Sequence, residues 1–422
     1  MYNMLLFVFL ATAVAARRSP GADYVENWLK EDGNNRYSSN IIEDALLDAP
    51  SLIEKYGYPV EIHKLITPDY YILEIHRIPH GRDQNNESDP TRPVVLAMHG
   101  LISSSADFIT QGPNVSLGYI LAESGYDVWL ANARGNYYSR ANLYLDPDDR
   151  RNQDFWRFSW DEIGNIDIPT IVDYILELTG HSKLHYIGHS QGCTSFFVLN
   201  SLRPEYNEKF ISFQGLAPAA FFVYNEVPFN KVISPYEAVT QLASEKLGFS
   251  EILGNRAAFT WFATRYCKEG DIFHDLCVYL LMDGDIDYFN TTLSPVFLGH
   301  MPAGSSIRQV NHYAQCVNTK EFRRYDHHRP ILNIETYDRP VAPLYNLSQI
   351  TAPVYLHYSF GDVTTDYRDV LHLAERLPNV AGMHLIQRST FSHRDYLWAT
   401  DAKVQVYNKL IQLMREAEAN AK

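Results

Sequence analysis

The five residues Gly188-His189-Ser190-Gln191-Gly192 have the types and spacing needed to present a serine as a nucleophile. They fit the pattern G-x-S-x-G, in which glycines let the backbone turn sharply and expose the serine hydroxyl above a sheet. The apolar residues 184–187 before the pattern indicate a buried parallel strand. Residues 193–202 after it contain no Gly or Pro and predict a helix. We therefore predict that Ser190 is a nucleophile.

A serine nucleophile needs a base to take its proton and an acid to orient that base. In chains with this strand-turn-helix unit the order is serine, acid, histidine. Asp362 follows the strand pattern that comes next to last and is the predicted acid, with Asp366 as the alternative. His393 lies in the loop before the last helix and is the predicted base. His185 and His189 flank the serine too early in this order to serve as the base.

The oxyanion formed during acyl transfer needs two backbone N–H donors. The N–H of Gln191 lies at the start of the predicted helix, where the helix dipole favours negative charge. The second donor is expected in the turn His99-Gly100-Leu101, which follows a strand ending at Met98. We assign this donor to Leu101.

Strand and helix patterns alternate along most of the chain. Residues 94–98, 127–130 and 211–216 indicate buried strands, and residues 60–78 indicate an antiparallel hairpin at the sheet edge. This alternation predicts an α/β protein with a mostly parallel central sheet flanked by helices. Together with the serine turn, it predicts the α/β-hydrolase fold.

Two helices can be described in more detail. Asp167 is expected to cap a helix that ends at Gly180. A helix from Asp401 is expected to close the chain, with four apolar residues on its inner face: Val404, Tyr407, Ile411 and Met414.

The alternation lapses over residues 219–340, which are rich in aromatic residues and short helical patterns. An insertion between strands six and seven of such a sheet lies over the carboxyl ends of the strands, where the active site is found. We therefore predict a helical cap or lid here, between core segments 46–218 and 341–422.

Residues 1–16 combine an apolar block with small residues and predict a secretory signal peptide, cleaved after Ala15 or Ala16. Residues 17–45 are interpreted as a polar arm or a propeptide. No later stretch approaches the roughly 18 apolar residues that a transmembrane helix needs. We expect a protein of the secretory pathway, destined for the extracellular space or the lysosome.

Sequons and cysteines agree with that compartment. Four asparagines are candidates for glycosylation: Asn86, Asn114, Asn290 and Asn346. Cys267 and Cys277 could close a local disulfide, Cys193 is interpreted as a buried free thiol, and Cys316 has no obvious partner. Cys and His residues show no metal-binding spacing, so no structural zinc site is expected. Hydrolysis through a serine acyl-enzyme implies no metal or organic cofactor.

The composition excludes some classes of protein. The 422 residues are 46% hydrophobic and 20% charged, which is typical of a globular chain long enough for a large α/β domain with an insertion. The net charge of -14 argues against a nucleic-acid partner.

Motifs along most of the chain, the serine turn among them, resemble those of the acid lipase family, which includes gastric lipase and lysosomal acid lipase. The similarity runs from about Pro59 to the C-terminal helix. It is carried by Tyr71-Ile72-Leu73-Glu74, His99-Gly100-Leu101, Gly125 to Leu130, Asn132 to Asn136, Phe158 to Glu162, Leu184 to Gly192, Leu216-Ala217-Pro218 and Pro302 to Ser306.

This resemblance implies the triad Ser190, Asp362 and His393, oxyanion donors at Leu101 and Gln191, and a cap disulfide matching Cys267 and Cys277. It also implies hydrolysis of lipid esters (triacylglycerols or sterol esters) at a lipid–water interface, without a cofactor. The chain departs from the family where Ser359-Phe360 replace a Gly-Gly pair, a change expected to crowd the acid loop. A small-ester carboxylesterase and a catalytically silent lipid-binding protein are the rival interpretations.

Overall fold

The computed structural model describes residues 37–82, 89–149, 151–224, 234–247, 250–281 and 284–421. Ten strands occur in these residues: β1 (Glu61–Ile66), β2 (Ile72–Ile78), β3 (Val94–Met98), β4 (Asp127–Leu130), β5 (Leu184–His189), β6 (Phe210–Leu216), β7 (Glu251–Ile252), β8 (Ser305–Ser306), β9 (Val354–Tyr358) and β10 (Val380–Leu385). Eight of them form one sheet in the order β1-β2-β4-β3-β5-β6-β9-β10, whereas β7 and β8 pair with each other.

The predicted antiparallel hairpin is present as β1 and β2, and β2 also pairs antiparallel with β4. All other pairs of the large sheet are parallel. Every residue of β3, β4 and β5 is buried, as expected for central strands that are covered on both faces. The mostly parallel sheet and the α/β-hydrolase fold are therefore confirmed.

Fourteen α-helices of four or more residues surround or extend the sheet in the described residues. They are α1 (Ser39–Leu46), α2 (Ala49–Lys55), α3 (Leu117–Glu123), α4 (Ile168–Thr179), α5 (Gln191–Leu202), α6 (Glu237–Leu247), α7 (Arg256–Tyr266), α8 (His274–Leu281), α9 (Ser294–His300), α10 (Ile307–Thr319), α11 (Pro330–Tyr337), α12 (Tyr367–Ala374), α13 (Asp395–Trp398) and α14 (Asn408–Ala421).

Strand β3 shows how the core divides between the two faces of the sheet. Val94, Leu96 and Met98 pack into the apolar cluster on one face, whereas Val95 and Ala97 pack into the cluster on the other. Each large apolar side chain buried in this way stabilises the fold by about 1.5–3 kcal/mol. The sheet is thus a rigid layer from whose carboxyl edge the loops project.

Asp167 does not cap α4, so that prediction was wrong. A helical turn at Trp160–Glu162 and a π-helical segment at Ile163–Asp167 precede the helix, and the capping residue is Ser159. The buried Asp167 carboxylate instead accepts a hydrogen bond of 2.8 Å from Nε of Arg134. Gly180 ends the helix at φ 71°, as predicted.

The closing helix also begins with a π-helical segment, Lys403–Tyr407. The wider turn puts Val404 out of phase with the helix that follows, and its side chain is 72% exposed. Its predicted inward position was wrong. Tyr407, Ile411 and Met414 are buried as expected.

The last residues of the segment interpreted as a polar arm or a propeptide form α1, which begins at Ser39 and packs against α9. The Arg256 guanidinium donates hydrogen bonds to the carbonyls of Ala45, Leu46 and Leu47 at the end of α1. A cation at this position complements the helix dipole. The predicted signal peptide lies outside the described residues.

Residues 217–353 form an insertion between β6 and β9. It contains α6 to α11 together with the small β7–β8 pair. The insertion lies between the sixth and seventh strands of the large sheet in chain order, and the cap subdomain at residues 219–340 stays a prediction. Its action as a lid stays a prediction.

Candidate active site

Ser190 occupies a single-residue turn between β5 and α5. Its backbone has φ 54° and ψ -114°, a left-handed conformation that costs a non-glycine residue about 1–3 kcal/mol. The turn also needs its flanking glycines: a Cβ at Gly192 would lie 2.1 Å from the Met98 carbonyl oxygen, and one at Gly188 would lie 2.7 Å from the Cys193 nitrogen. The sharp turn predicted from G-x-S-x-G is present.

Loops from three strands bring the predicted triad together. Nε2 of His393 lies 2.8 Å from Oγ of Ser190, and Nδ1 of His393 lies 2.9 Å from Oδ2 of Asp362. Asp362 and His393 are both buried. The carboxylate can therefore hold a hydrogen on Nδ1, which leaves Nε2 free to accept the serine proton.

Asp362 is itself fixed by residues that the sequence analysis did not identify. Its Oδ1 accepts hydrogen bonds from the backbone N–H groups of Thr364 (2.9 Å) and Thr365 (2.8 Å), and its Oδ2 accepts the Thr365 hydroxyl (2.5 Å). An Asp side chain often accepts the backbone N–H two residues on, in an Asx turn, so the run Asp362-Val363-Thr364-Thr365 could have revealed this anchor.

The alternative acid, Asp366, has a different task. It caps α12 by accepting the Arg368 N–H, and its carboxylate pairs with the Arg368 side chain. The expected crowding of the acid loop by Phe360 is also absent, since this side chain is 57% exposed and packs on Tyr367.

The predicted oxyanion turn passes close to the nucleophile, because a Cβ added to Gly100 would lie 3.3 Å from Cβ of Ser190. The structure adds a role for His99. Its Nε2 accepts the Ala133 N–H at 3.1 Å, so Nδ1 carries the hydrogen and donates it to the Gly100 carbonyl at 2.7 Å. That carbonyl and the Leu101 N–H belong to one planar trans peptide, so the bond also fixes the direction of the Leu101 N–H.

Burial lowers the pKa of His99 to about 4, so the ring is neutral near neutral pH and this arrangement of donors persists. The other predicted donor, the Gln191 N–H, is at the first residue of α5. The Gln191 side chain donates to Oε1 of Gln309 at 2.6 Å and so connects the serine turn to α10 of the insertion.

The remaining predicted sites lie outside this cluster. Cys267 and Cys277 form a disulfide between α7 and α8, while Cys193 and Cys316 are buried free thiols. Three sequon asparagines, Asn114, Asn290 and Asn346, are exposed, and Asn86 lies outside the described residues.

Comparison with known proteins extends these observations. A family model described as "Partial alpha/beta-hydrolase lipase region" matches residues 49–112, and one described as "alpha/beta hydrolase fold" matches residues 93–222. Lipase 1 of Drosophila melanogaster is 40% identical over 396 residues, covering 92% of this chain and 84% of that protein. The gastric triacylglycerol lipase of Bos taurus is 35% identical over 374 residues, covering 88% and 92%.

The chain belongs to the acid lipase family. It is a carboxylic ester hydrolase of the lipase type on the α/β-hydrolase fold. A solved structure of a candidate lipase from Sulfolobus solfataricus superposes with a TM-score of 0.55 at 16% identity, covering 85% of this chain and 95% of that chain. That likeness shows the fold alone.

Neither a membrane-spanning helix nor a metal-binding cluster occurs in the described residues of this acid lipase family member. Across the part of the chain that the structure describes, no helix is long and apolar enough to cross a membrane. Within the same residues, no group of three or more His, Cys, Asp or Glu side chains could hold a metal ion.

Proposed function

We propose that this protein is a serine lipase of the secretory pathway that hydrolyses the ester bonds of neutral lipids through an acyl-enzyme. The observation that carries the proposal is the chain of hydrogen bonds from Ser190 through His393 to Asp362, at 2.8 and 2.9 Å. Triacylglycerols are the first substrate class, because relatives covering most of the chain are named triacylglycerol lipases. Sterol esters are the second.

In the proposed mechanism, Oγ of Ser190 attacks the acyl carbonyl carbon while Nε2 of His393 takes the hydroxyl proton. Asp362 stabilises the resulting imidazolium and keeps it oriented. The N–H groups of Leu101 and Gln191 bind the tetrahedral oxyanion. His393 then gives its proton to the leaving alkoxide, and a water molecule activated by the same imidazole hydrolyses the acyl-enzyme.

The compartment is inferred from independent features. The signal pattern of residues 1–16, three exposed sequon asparagines and one disulfide are typical of proteins that pass through an oxidising lumen. We propose glycosylation at Asn114, Asn290 and Asn346. Mass spectrometry of the secreted protein after enzymatic removal of glycans tests each asparagine and also locates the mature N-terminus.

The substrate is tested with the purified secreted protein on triolein, cholesteryl oleate and a soluble butyrate ester, from about pH 4 to pH 8 because the base must be neutral to act. Turnover of triolein above the butyrate ester supports the proposal. Turnover of the butyrate ester alone would identify a small-ester carboxylesterase. No turnover on any ester, together with no labelling of Ser190 by a fluorophosphonate, would identify a lipid-binding protein.

A further inference from the structure

His189, the residue before the nucleophile, takes part in no step described above. It is the last residue of β5, and only 6% of its surface is exposed. Its ring centroid lies 5.0 Å from that of His393, and its Nε2 lies 2.9 Å from the main-chain carbonyl oxygen of His393. Because a carbonyl oxygen can only accept, Nε2 carries a hydrogen and donates it.

The charge state of His189 suits this single bond. Burial, and after it the neighbouring His393 ring, lowers the pKa of His189 to about 3, so the ring is neutral under ordinary conditions. Nδ1 then holds a lone pair, and within the described residues it has no hydrogen-bond partner. It faces the oxyanion turn, where a Cβ added to Gly100 would lie 3.4 Å away.

The base is therefore attached to the serine turn at two points. Its side chain contacts Ser190 at 2.8 Å, and its main chain accepts from His189 at 2.9 Å. The two partners are consecutive residues: His189 ends the buried strand β5, and Ser190 forms the turn that follows it. Any movement of the base loop away from β5 must break both contacts.

We propose that His189 is a positioning residue for the base, holding the main chain of His393 at the distance that its side chain needs to reach Ser190. The inference rests on the proposed function, because it takes His393 to be the proton acceptor. His189 itself touches neither substrate nor the transferred proton. Its loss should therefore slow the chemical step without weakening substrate binding.

Three substitutions of His189 distinguish the effect of its hydrogen-bond donor from the effect of its ring. His189→Gln keeps an N–H donor at a similar distance from the backbone. His189→Asn also keeps a donor, but its side chain is one methylene shorter than that of Gln. His189→Phe keeps a ring and removes the donor. On a soluble butyrate ester, kcat should fall about 10- to 100-fold for Asn and Phe and less than about fivefold for Gln, because small misplacements of a reacting group cost up to about 100-fold. KM should stay within about twofold.

His185→Phe is the matched control. His185 is on the same strand and fully buried, but it bonds to Ser212 and Glu418 rather than to the base. Its loss should lower Tm while kcat per titrated active site is kept. A similar fall in kcat for both Phe variants would show that only strand stability matters, and would overturn the proposal.

The substitution is then repeated in a His393→Ala background, where His189 has no base to position. In that background, His189→Phe should lower kcat by less than about a further twofold, because the effects of residues that act through one another are not additive. A fall in kcat as large as the one His189→Phe causes in the wild type would overturn the proposal. Equal kcat for the Gln and Asn variants would overturn it as well. If His189→Phe does not fold, the comparison of Gln with Asn decides alone.

Failure of the proposed function gives a different result. A wild-type protein inactive on every ester would overturn the lipase assignment. An active wild type whose His189 variants all match it would overturn only the role of His189.

Discussion

Two helices of nearly equal length, α5 and α6, use their side chains in opposite ways. In α5, behind the nucleophile, the residues from Gln191 to Ser201 are all buried, and its polar side chains bond inside the protein. In α6, on the insertion, the buried residues among those whose side chains the structure describes, Glu237 and Ser244, are polar. The apolar Val239 and Leu242, with Tyr236 just before the helix, are 53–63% exposed.

The difference indicates a division of labour. A helix buried on every side fixes the serine turn, because any displacement would open cavities in a close-packed core. A helix that turns its polar side inward is held by hydrogen bonds, and its apolar side remains available to another apolar surface. We infer that geometry is supplied by the sheet and α5, and lipid contact by the insertion.

The largest effect is expected when the nucleophile at the start of α5 is removed. Ser190→Ala should lower kcat by a factor of about 10⁶, as is typical for loss of a triad serine. The fold should be unaffected, since the position serves reactivity rather than packing. Ester hydrolysis and thermal melting measure the two effects, and activity within tenfold of the wild type would contradict the mechanism.

The next test concerns the two carboxylates near the acid loop. Asp362→Asn should cost about 10³- to 10⁴-fold in kcat, because an amide favours the wrong tautomer of the base. Asp366→Asn is the matched control and should leave kcat unchanged, because Asp366 caps α12 and pairs with Arg368. If Asp366→Asn causes the greater loss of kcat, the acid has been wrongly assigned.

A third test removes the exposed apolar side of α6. Replacing Tyr236, Val239 and Leu242 by Ser should lower the ratio of triolein to butyrate hydrolysis about tenfold, since transferring even part of these side chains from water to lipid is worth more than about 1 kcal/mol. Ile62 and Ile66 are equally exposed on β1 at the sheet edge, so their Ser variants are the control. An unchanged ratio of triolein to butyrate hydrolysis for the α6 variant would show that this side of α6 does not contact lipid.

The smallest effect is expected from the hydrogen bond that attaches α6 to His328, and it is a change with pH. Nε2 of His328 lies 2.7 Å from Glu237, and this hydrogen bond raises the pKa of His328, helped by the charge of Asp326 and opposed by burial. The stabilising pair is complete below the ordinary His pKa of about 6.5 and is lost as the pH rises through the higher folded pKa.

Hydrogen exchange follows this tether directly. Protection of the α6 amides should fall about two- to fivefold between pH 6 and pH 8, a small change because the imidazole is 42% exposed and screened by water. The α5 amides serve as the internal control, and His328→Gln should abolish the pH dependence. Equal change in both helices would point to a global effect instead.

Local patterns predicted the parts of the molecule that depend on neighbours in sequence. The serine turn follows from Gly188 and Gly192. The missing side chain of Gly188 lets β5 approach the start of α5, and that of Gly192 lets α5 approach Met98. The chain order of Asp362 and His393 follows from the alternation of strands and helices. In each case the physical constraint acts within a few residues or within the topology of the sheet.

The remaining features depend on partners far away in the chain. Asp is a common residue at helix N-caps, but the carboxylate of Asp167 accepts a hydrogen bond from Arg134, 33 residues earlier, instead of capping the helix. The periodicity that placed Val404 inside assumes an α-helical turn, and a π-helical segment breaks it. His99 and His189 resemble ordinary buried histidines until their bonds to the Gly100 and His393 carbonyls are seen.

The attachment of α1 limits how the N-terminal segment can be processed. Arg256 donates to the last carbonyls of α1, and the neutral, buried His300 donates to the Asp44 carbonyl at 2.9 Å. Removal of α1 would leave both donors without these acceptors. A lost bond from the charged Arg256 costs about 1.5–3 kcal/mol, and one from the neutral His300 costs about 0.5–1.5 kcal/mol. A maturation protease can therefore trim the chain up to Ser38, which caps α1, whereas a cut beyond it should release an enzyme with a loosened insertion.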